Sequence, residues 1–283
     1  MADNVFTLRT KSGFLRLTAH FPAACGLWLA WGIIGLAVLA ALWPQLFSGQ
    51  DPTQGTAGAA LQAPGLHSRL GTDQLGRDLY TRIVYGAFWS LSSALLATGL
   101  GLVMGGALGM FAGLSTPRSE SLIMRLTDVL LAIPALLLSL SVIILLGVGT
   151  FHAALAVGVA SVASFTRLAR SEVVRIRQAE FIEAARGSGG RFLAIFWRHI
   201  LPNTLPTLLA WSALQFGQAI LSLATLSFLG FGSPPPVPEW GLMIAEGRNY
   251  LSTAWWLTFF PGLMVIAVVQ ASNRISRSFS GAK

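Results

Sequence analysis

The sequence predicts an all-α, polytopic membrane protein with about six transmembrane helices, each of which needs about 20 apolar residues. Of the 283 residues, 54% are hydrophobic and only 11% are charged, whereas soluble domains usually carry about 25% charged residues. Apolar runs of spanning length recur along the chain, and most positive charges fall in alternate segments between them. Such one-sided charge is typical of the loops that orient a membrane protein.

The first apolar run, residues 26–47, follows a basic tail, residues 1–25, that carries Arg9, Lys11 and Arg16. Cleaved signal peptides share that order, but their apolar core is only about 7–15 residues long. Because the run here is long enough to span a bilayer, we predict an uncleaved first transmembrane helix behind a cytoplasmic tail.

Residues 86–272 are predicted to form the remaining transmembrane core. The predicted spans are residues 86–114, 126–148, 151–165, 204–231 and 252–271. The fourth is the weakest, but six spans with an inside N-terminus place 15 of the 19 Lys and Arg residues inside. Removing it would move the segment 167–203, with its seven Arg residues, to the outside, against the positive-inside rule. The C-terminal tail, residues 273–283, is then cytoplasmic as well.

Two predicted outside segments, residues 48–85 and 232–251, carry patterned polar residues. The first contains Asp73, Gly76, Arg77, Asp78 and Arg82, and the second contains a proline-rich run followed by Trp240 and Arg248. Asp78 and Arg82 have the i,i+4 spacing of an ion pair on a helix. We favour such a local salt bridge over a contact with a solute, since exposed pairs are common. Trp240 suits the aromatic belt at a membrane interface.

The predicted cytoplasmic segment, residues 167–203, reads as two short helices joined by a glycine corner. Ser171 is placed to cap a first helix that runs through Arg186, in which Arg177 and Glu180 have the spacing of an ion pair. Gly187, Gly189 and Gly190 then interrupt it, residues 191–200 form the second helix, and Pro202 opens the next span. The pattern fits an amphipathic hairpin on the membrane surface and equally a docking element for a partner protein.

Several polar residues in the spans have two interpretations. Gln215, Gln218, Ser222 and Thr225 are candidates to line a polar pathway, but interhelical hydrogen bonds would explain them as well. Asp128 is either a functional intramembrane carboxylate or an interfacial one. The glycines at positions 99–109 indicate close helix packing.

Other function classes find little support. The four His residues, His20, His67, His152 and His199, have no metal-site spacing, and Cys25 is the only cysteine. There is no G-x-x-x-x-G-K-[ST] run, so any nucleotide is bound by another polypeptide. The basic balance is explained by loop charges, so we predict no nucleic acid partner.

The corner also carries a recognisable motif. Glu183-Ala184-Ala185, then Gly189, then Ile200-Leu201-Pro202-Asn203 resemble the EAA motif of ATP-binding-cassette importer permeases. In that family the segment holds the coupling helix that sits in a cleft of the ATPase subunit. The resemblance therefore implies an ATPase-coupling role for Glu183, Ala184, Ala185, Arg186, Gly189, Ile200 and Pro202.

Two further stretches extend the resemblance to about residues 68–275. Residues 70–82 and residues 226–248, with Phe260-Pro261-Gly262, are similar to the second permease subunit of dipeptide, oligopeptide and nickel importers. Asp73, Gly76, Arg77, Asp78, Arg82, Trp240 and Arg248 fall in these motifs, which are outside and structural. Leu223 departs from the pattern, since many relatives carry an acidic residue there.

The resemblance implies a type I importer permease fold in a bacterial inner membrane. It implies a heterodimer with a second permease subunit, two ATPase subunits that bind ATP and Mg, an external solute-binding protein and surrounding lipid. The chain itself would bind no cofactor and catalyse no reaction. The substrate stays open among peptides, nickel, metallophores, glutathione and sugars. The alternative is a stand-alone secondary transporter, which needs ion-coupling carboxylates at mid-membrane.

Overall fold

The computed structural model describes residues 23–66 and 68–280, and the regular elements in that part of the chain are helices. The predicted cytoplasmic tail, with Arg9, Lys11, Arg16 and His20, lies outside the described residues apart from its last positions, and so do His67 and Lys283. The predicted all-α membrane fold is confirmed.

Eleven α-helices are described within residues 23–66 and 68–280, and they follow one another along the chain. They are α1 (Ala23–Leu42), α2 (Leu79–Leu100), α3 (Gly106–Leu114), α4 (Pro117–Ala132), α5 (Ala135–Leu146), α6 (Thr150–Arg177), α7 (Glu180–Gly187), α8 (Phe192–Ile195), α9 (Leu201–Phe228), α10 (Trp240–Gly247) and α11 (Trp256–Ser280). Single π-helical turns join α2 to α3 (Gly101–Gly105) and α8 to α9 (Phe196–Ile200), so each pair forms one continuous rod.

Among the described residues, five helical rods are long and apolar enough to cross a membrane. They are Cys25–Leu42, Leu79–Leu114, Thr150–Arg177, Phe192–Phe228 and Trp256–Phe279. The pair α4 and α5 makes a sixth span if it is counted as one. The chain is therefore a multi-pass membrane protein. Several boundaries differ from the prediction: the second span begins at Leu79 rather than at residue 86, and the last helix reaches Ser280, through most of the predicted tail.

The predicted third span, residues 126–148, is not one helix. It consists of α4 and α5, whose axes differ by 94°. The break falls at Ile133 and Pro134, where both residues leave helical geometry, with ψ of 127° and 128°. Proline disfavours helical geometry in the residue before it and has no amide to continue the ladder. The hydropathy is continuous across the break, which is why the sequence pattern predicts a straight span.

The predicted fourth span is confirmed and is longer than expected, since α6 runs without interruption from Thr150 to Arg177. Ser171 therefore does not cap a helix; its hydroxyl donates to the Leu168 carbonyl inside α6. The predicted Arg177–Glu180 pair is also wrong, because the Arg177 guanidinium donates to the Gly113 carbonyl. The helix instead ends at Arg177, Gln178 is its C-cap, and Ala179 is extended before α7 begins.

A stripe of glycines lets the α2–α3 rod lie directly against α6. The members recur every four residues and share one helix face: Gly101, Gly105, Gly109 and Gly113. A Cβ at Gly105 would collide with the Val162 carbonyl oxygen, and one at Gly109 with the Thr166 carbonyl oxygen. Small residues at this spacing allow close backbone approach between membrane helices. The predicted packing role fits Gly101, Gly105 and Gly109, whereas a Cβ at Gly99 would meet nothing within 4 Å.

The main buried core lies among α1, α2, α5, α6, α9, α10 and α11. It consists mostly of Ala, Leu, Ile and Val, with Trp240 fully buried at one end. A second, separate cluster packs at the other end of α6, beneath α7 and α8. The second cluster positions the helical corner described next.

Candidate functional site

The helical corner, defined here as residues 180–200, is built from α7, a glycine turn and α8 with its π-helical turn. Glu180 and Glu183 lie in the first turn of α7 and Arg186 in its last turn. This arrangement complements the helix macrodipole. The second predicted helix does not end at residue 200, since it continues through the π-helical turn into α9. Pro202 therefore sits near the beginning of α9, inside a longer rod.

The turn after α7 is a Schellman motif. Gly189 has a φ of 81°, and its amide donates to the Arg186 carbonyl at 2.9 Å, while the Gly190 amide donates to the Ala185 carbonyl at 3.0 Å. These two bonds satisfy carbonyls that the helix end leaves unpaired. Only glycine adopts this left-handed conformation without steric cost, which explains the residue type at position 189.

The inner side of the corner is held by an apolar cluster. Ile182 of α7 is fully buried, with no exposed surface. It packs in one cluster with Val173 and Ile176 of α6 and with Ile195 and Ile200 beyond the turn. Ile200, predicted to contact an ATPase, is thus a buried packing residue. The cluster packs α7 against the end of α6.

The outer side of the corner is open. Glu183, Ala184, Arg186 and Gly189 are all exposed, and Pro202 nearby is exposed as well. Large apolar side chains accompany them: Phe181, Phe192, Leu193 and Trp197 expose 47%, 58%, 66% and 64% of their surface. Ala185 lies at the edge, partly buried against the apolar cluster. Exposed apolar groups concentrated at one polar-rimmed position are typical of an interaction surface.

Ion pairs fasten the neighbouring part of α6 to α4. Arg170 Nε donates to Glu120 Oε1 at 2.7 Å, and Arg167 Nη2 lies 2.5 Å from Asp128 Oδ1. The Asp128 side chain is 60% exposed. Asp128 does not line the cavity described next, and its two predicted interpretations stay predictions.

A cavity of about 280 Å³ lies between α2, α6, α9 and the α4–α5 break. Three of the four candidate pathway residues, Gln215, Gln218 and Ser222, line it together; Thr225 does not, and its hydroxyl donates to the Leu221 carbonyl. The other lining residues are Ala97, Thr98, Leu131, Ala135, Ser139, Val157, Ala160, Ser161, Ser164 and Ala219. The lining carries hydroxyls and amides but no charged side chain. It can therefore form hydrogen bonds without a fixed charge.

Hydrogen bonds within the cavity wall order part of this polar surface. Gln215 Nε2 donates to Ser164 Oγ at 3.2 Å, which joins α9 to α6. Interhelical bonding, the second interpretation of these glutamines, therefore applies to Gln215, whereas the pathway role stays a prediction. Thr98 differs, because its hydroxyl is buried and has no hydrogen-bond partner.

Three charged residues of the first predicted outside segment form a buried charge cluster at the end of the bundle far from the corner. Asp73 Oδ2 lies 2.5 Å from Arg77 Nε and 3.6 Å from Arg82 Nε. Glu246 of α10 completes it, with Oε2 at 3.2 Å from Arg82 Nη2 and 3.6 Å from Arg77 Nη2. Both arginines are 1% exposed. The cluster joins the start of α2 to α10.

The predicted Asp78–Arg82 pair is wrong. Asp78 instead caps α2, since its Oδ2 accepts from the Thr81 amide and hydroxyl at 2.8 Å each. Arg82 belongs to the buried charge cluster, so a local salt bridge does fix this helix end, but between other partners. Glu246, which the sequence reasoning missed, is 164 residues from Arg82, and no local spacing signals such a pair.

The remaining motif residues also have packing roles. Trp240 is fully buried rather than interfacial, and its Nε1 donates to the Ile83 carbonyl at 2.9 Å. Gly76 has a φ of 73° and lies against the Thr56 backbone. Arg248 donates to the Phe228 carbonyl at 3.1 Å. These contacts hold the outside segments onto the ends of α2 and α9.

Glu239 is a second acidic residue that the sequence reasoning missed. It is 5% exposed and caps α10, where its two carboxylate oxygens accept from the Gly241 amide at 3.0 Å and the Leu242 amide at 3.2 Å. Burial raises the pKa of this carboxyl above its ordinary value, although hydrogen bonds from Ser227, Gly241 and Leu242 act in the opposite direction.

Comparison with known proteins identifies the family. Residues 105–280, more than half of the chain, match the family model described as "Binding-protein-dependent transport system inner membrane component". The dipeptide transport system permease protein DppC of Alkalihalophilus pseudofirmus is 38% identical over 243 residues, which cover 86% of this chain and 80% of the relative. The di/tripeptide transport system permease protein DppC of Pseudomonas aeruginosa is 37% identical over 266 residues, which cover 92% and 87%.

A solved structure shares the fold. The inward-facing MetNI methionine ABC transporter aligns with a TM-score of 0.57 at 20% identity, over 70% of this chain and 95% of that one. The relatives and this fold favour an importer subunit with ATPase and binding-protein partners over a stand-alone secondary transporter. The chain therefore belongs to the binding-protein-dependent transport system inner membrane component family and is a permease subunit of an ATP-binding-cassette importer.

Proposed function

We propose that this chain is one half of a heterodimeric permease that imports short peptides across a bacterial inner membrane. Its partners are a second permease subunit, two ATPase subunits that bind ATP and Mg, and an external solute-binding protein. The chain itself binds no nucleotide, metal or other cofactor and catalyses no reaction. Both termini face the cytoplasm, in agreement with the concentration of Arg residues around the helical corner.

The helical corner supports the coupling role. Its inner side is anchored by Ile182, which packs against Val173 and Ile176 of α6. A movement of α7 would therefore also move the end of α6. Its outer side presents Glu183, Ala184 and Arg186 together with exposed aromatic side chains. We propose that this outer side docks in a groove of the ATPase, as an amphipathic helix does. ATPase movement would then bias the helix bundle between two states.

The cavity supports a peptide as the solute. Its hydroxyls and side-chain amides match the hydrogen-bonding groups of a peptide. Bare nickel would require His, Cys or carboxylate ligands, and none of these residue types is in the lining. The named activities of the two relatives, dipeptide and di/tripeptide transport, agree with this choice.

The single observation that carries the coupling proposal is that α7 is anchored by the buried Ile182 while its outer face is exposed. The test uses the full complex in liposomes with Ala184→Arg, which places a bulky charge on the exposed face without disturbing the buried cluster. We expect loss of ATP-dependent uptake of alanyl-alanine and weaker co-purification of the ATPase. The matched control is Ser252→Arg, an exposed position at the other end of the bundle. Full uptake by the Ala184→Arg complex would refute the docking role.

A further inference from the structure

The α4–α5 break opens onto the cavity. Leu131, near the end of α4, and Ala135, the first residue of α5, both line it, and Ser139 follows one turn later. Irregular backbone at membrane depth is tolerated where it lines a cavity or is buried in protein. The position of the break thus brings two helix ends to the cavity.

The beginning of α5 has unsatisfied amides. Pro134 precedes the helix and makes no side-chain cap, and the first amide that donates along the helix is that of Leu138, to the Pro134 carbonyl at 3.0 Å. The amides of Ala135, Leu136 and Leu137 have no acceptor within residues 23–66 and 68–280. Such free amides give a helix N-terminus a partial positive charge.

A second, independent feature of the cavity is an unpaired buried hydroxyl, that of Thr98. Thr98, on α2, is 5% exposed and lines the same cavity, and its Oγ1 has no hydrogen-bond partner. Buried hydroxyls in folded proteins are almost always paired. A threonine in a helix can return its hydroxyl to a backbone carbonyl of the preceding turn, as Thr127 and Thr166 do here. Thr98 makes no such bond, so its buried hydroxyl is left without a hydrogen-bond partner at the cavity wall.

We propose that this cavity binds the carboxylate group of a transported solute, with the first amides of α5 and the Thr98 hydroxyl as donors. The inference rests on the proposed function, and it specifies the solute class as one that carries a free carboxylate, such as a peptide C-terminus. Half-helix N-termini suit this task in transporters. Since no Lys or Arg lines the cavity, the carboxylate meets dipoles rather than a full positive charge. A site of this kind can hold an anion and still release it.

The test compares two solutes in the full complex in liposomes. They are alanyl-alanine and its C-terminal amide, each presented on saturating external binding protein. Ala135→Pro removes one free amide, and Pro134, with its ψ of 128°, already has the extended geometry that a following proline requires. Thr98→Val removes the hydroxyl at constant shape. Ala135→Gly keeps the amide and Thr98→Ser keeps the hydroxyl, so they serve as matched controls.

We expect each of Ala135→Pro and Thr98→Val to lower the acid-to-amide ratio of initial uptake rates about tenfold, as expected for one lost hydrogen bond to a charged group. Thr98→Ser is expected to restore the ratio. Uptake of both solutes with an unchanged ratio in both variants would overturn the carboxylate site and leave the peptide permease intact. Absence of ATP-dependent uptake of either solute by the unmodified complex would overturn the proposed function, and the carboxylate site with it. Because Thr98→Val leaves the backbone unchanged, it decides the question even if Ala135→Pro fails to assemble.

Discussion

Arg82 Nη2, at the start of α2, lies 3.2 Å from Glu246 Oε2 in α10, although the two residues are 164 positions apart in the chain. Arg82 is 1% exposed and also lies 3.6 Å from Asp73. The pair connects the start of α2 with α10, the helix that follows α9. Neither residue lines the cavity. The contribution of the pair to the free energy of unfolding can therefore be measured by substituting one side chain.

Replacing Glu246 with Gln removes one of the two carboxylates that neutralise the buried charges of Arg77 and Arg82. Removing one partner of a buried ion pair costs about 3–5 kcal/mol of stability, so we expect a large fall in the unfolding midpoint in detergent. The control is Asp128→Asn, which removes an exposed pair with Arg167 and should cost about 0–1 kcal/mol. Equal effects of the two substitutions would contradict a structural role for the charge cluster.

Substitutions at Gly189 test the role of the glycine turn in the helical corner. No atom lies within 4 Å of a Cβ built there, so its φ of 81°, rather than crowding, restricts the residue. Left-handed geometry costs an L-residue about 1–2 kcal/mol. We expect Gly189→Val to abolish uptake and ATPase stimulation while the protein stays in the membrane. Gly189→Asn should retain much of the activity, because asparagine tolerates this conformation. Normal uptake by the valine variant would argue against the coupling assignment.

The glycine stripe gives a third prediction, on helix packing. A Cβ at Gly105 would collide with the Val162 carbonyl, whereas a Cβ at Gly99 meets nothing within 4 Å. Gly105→Ala should therefore separate α2–α3 from α6 and destabilise the protein by about 1–3 kcal/mol, the usual cost of overpacking. Gly99→Ala should be neutral or slightly stabilising, because alanine favours a helix. Thermal unfolding of both purified variants measures the difference.

The sequence predicts the helical class and the glycine turn of the corner well, because both depend on local patterns, but not the break between α6 and α7. Hydropathy identifies apolar runs, and the spacing of Glu183 and Gly189 marks a helix followed by a turn. The 94° break at Pro134 is not predictable in this way, since an apolar run has the same hydropathy whether it is straight or bent. The Arg82–Glu246 pair also lies beyond local spacing, because tertiary packing alone brings α2 and α10 together. The cavity needs all five of its surrounding helices to be placed before Thr98 can be assigned to it.

The last prediction concerns Glu239, which is outside the spanning helices. Burial raises the pKa of its carboxyl above the ordinary 4.5, so the fold favours the protonated form. The protonated carboxyl therefore adds to the free energy of unfolding. This contribution is fully present below the ordinary pKa and is lost as the pH rises through the raised pKa. Glu239→Gln fixes the neutral form and keeps an oxygen to accept from the start of α10. We therefore expect the unfolding midpoint of the variant, relative to that of the natural protein, to increase as the pH rises.

Unfolding scans at a series of pH values, from below 4.5 to neutral, measure this difference. Glu180→Gln, at an exposed position of α7, controls for the general loss of one acidic side chain and should show no comparable trend. Glu239→Ala separates the two contributions of the residue, because it removes the helix cap together with the charge, and lost caps cost about 0.5–2 kcal/mol. If the midpoints of Glu239→Gln and the natural protein differed by the same amount at every pH, the raised pKa would be contradicted, and Glu239 would act as a cap alone.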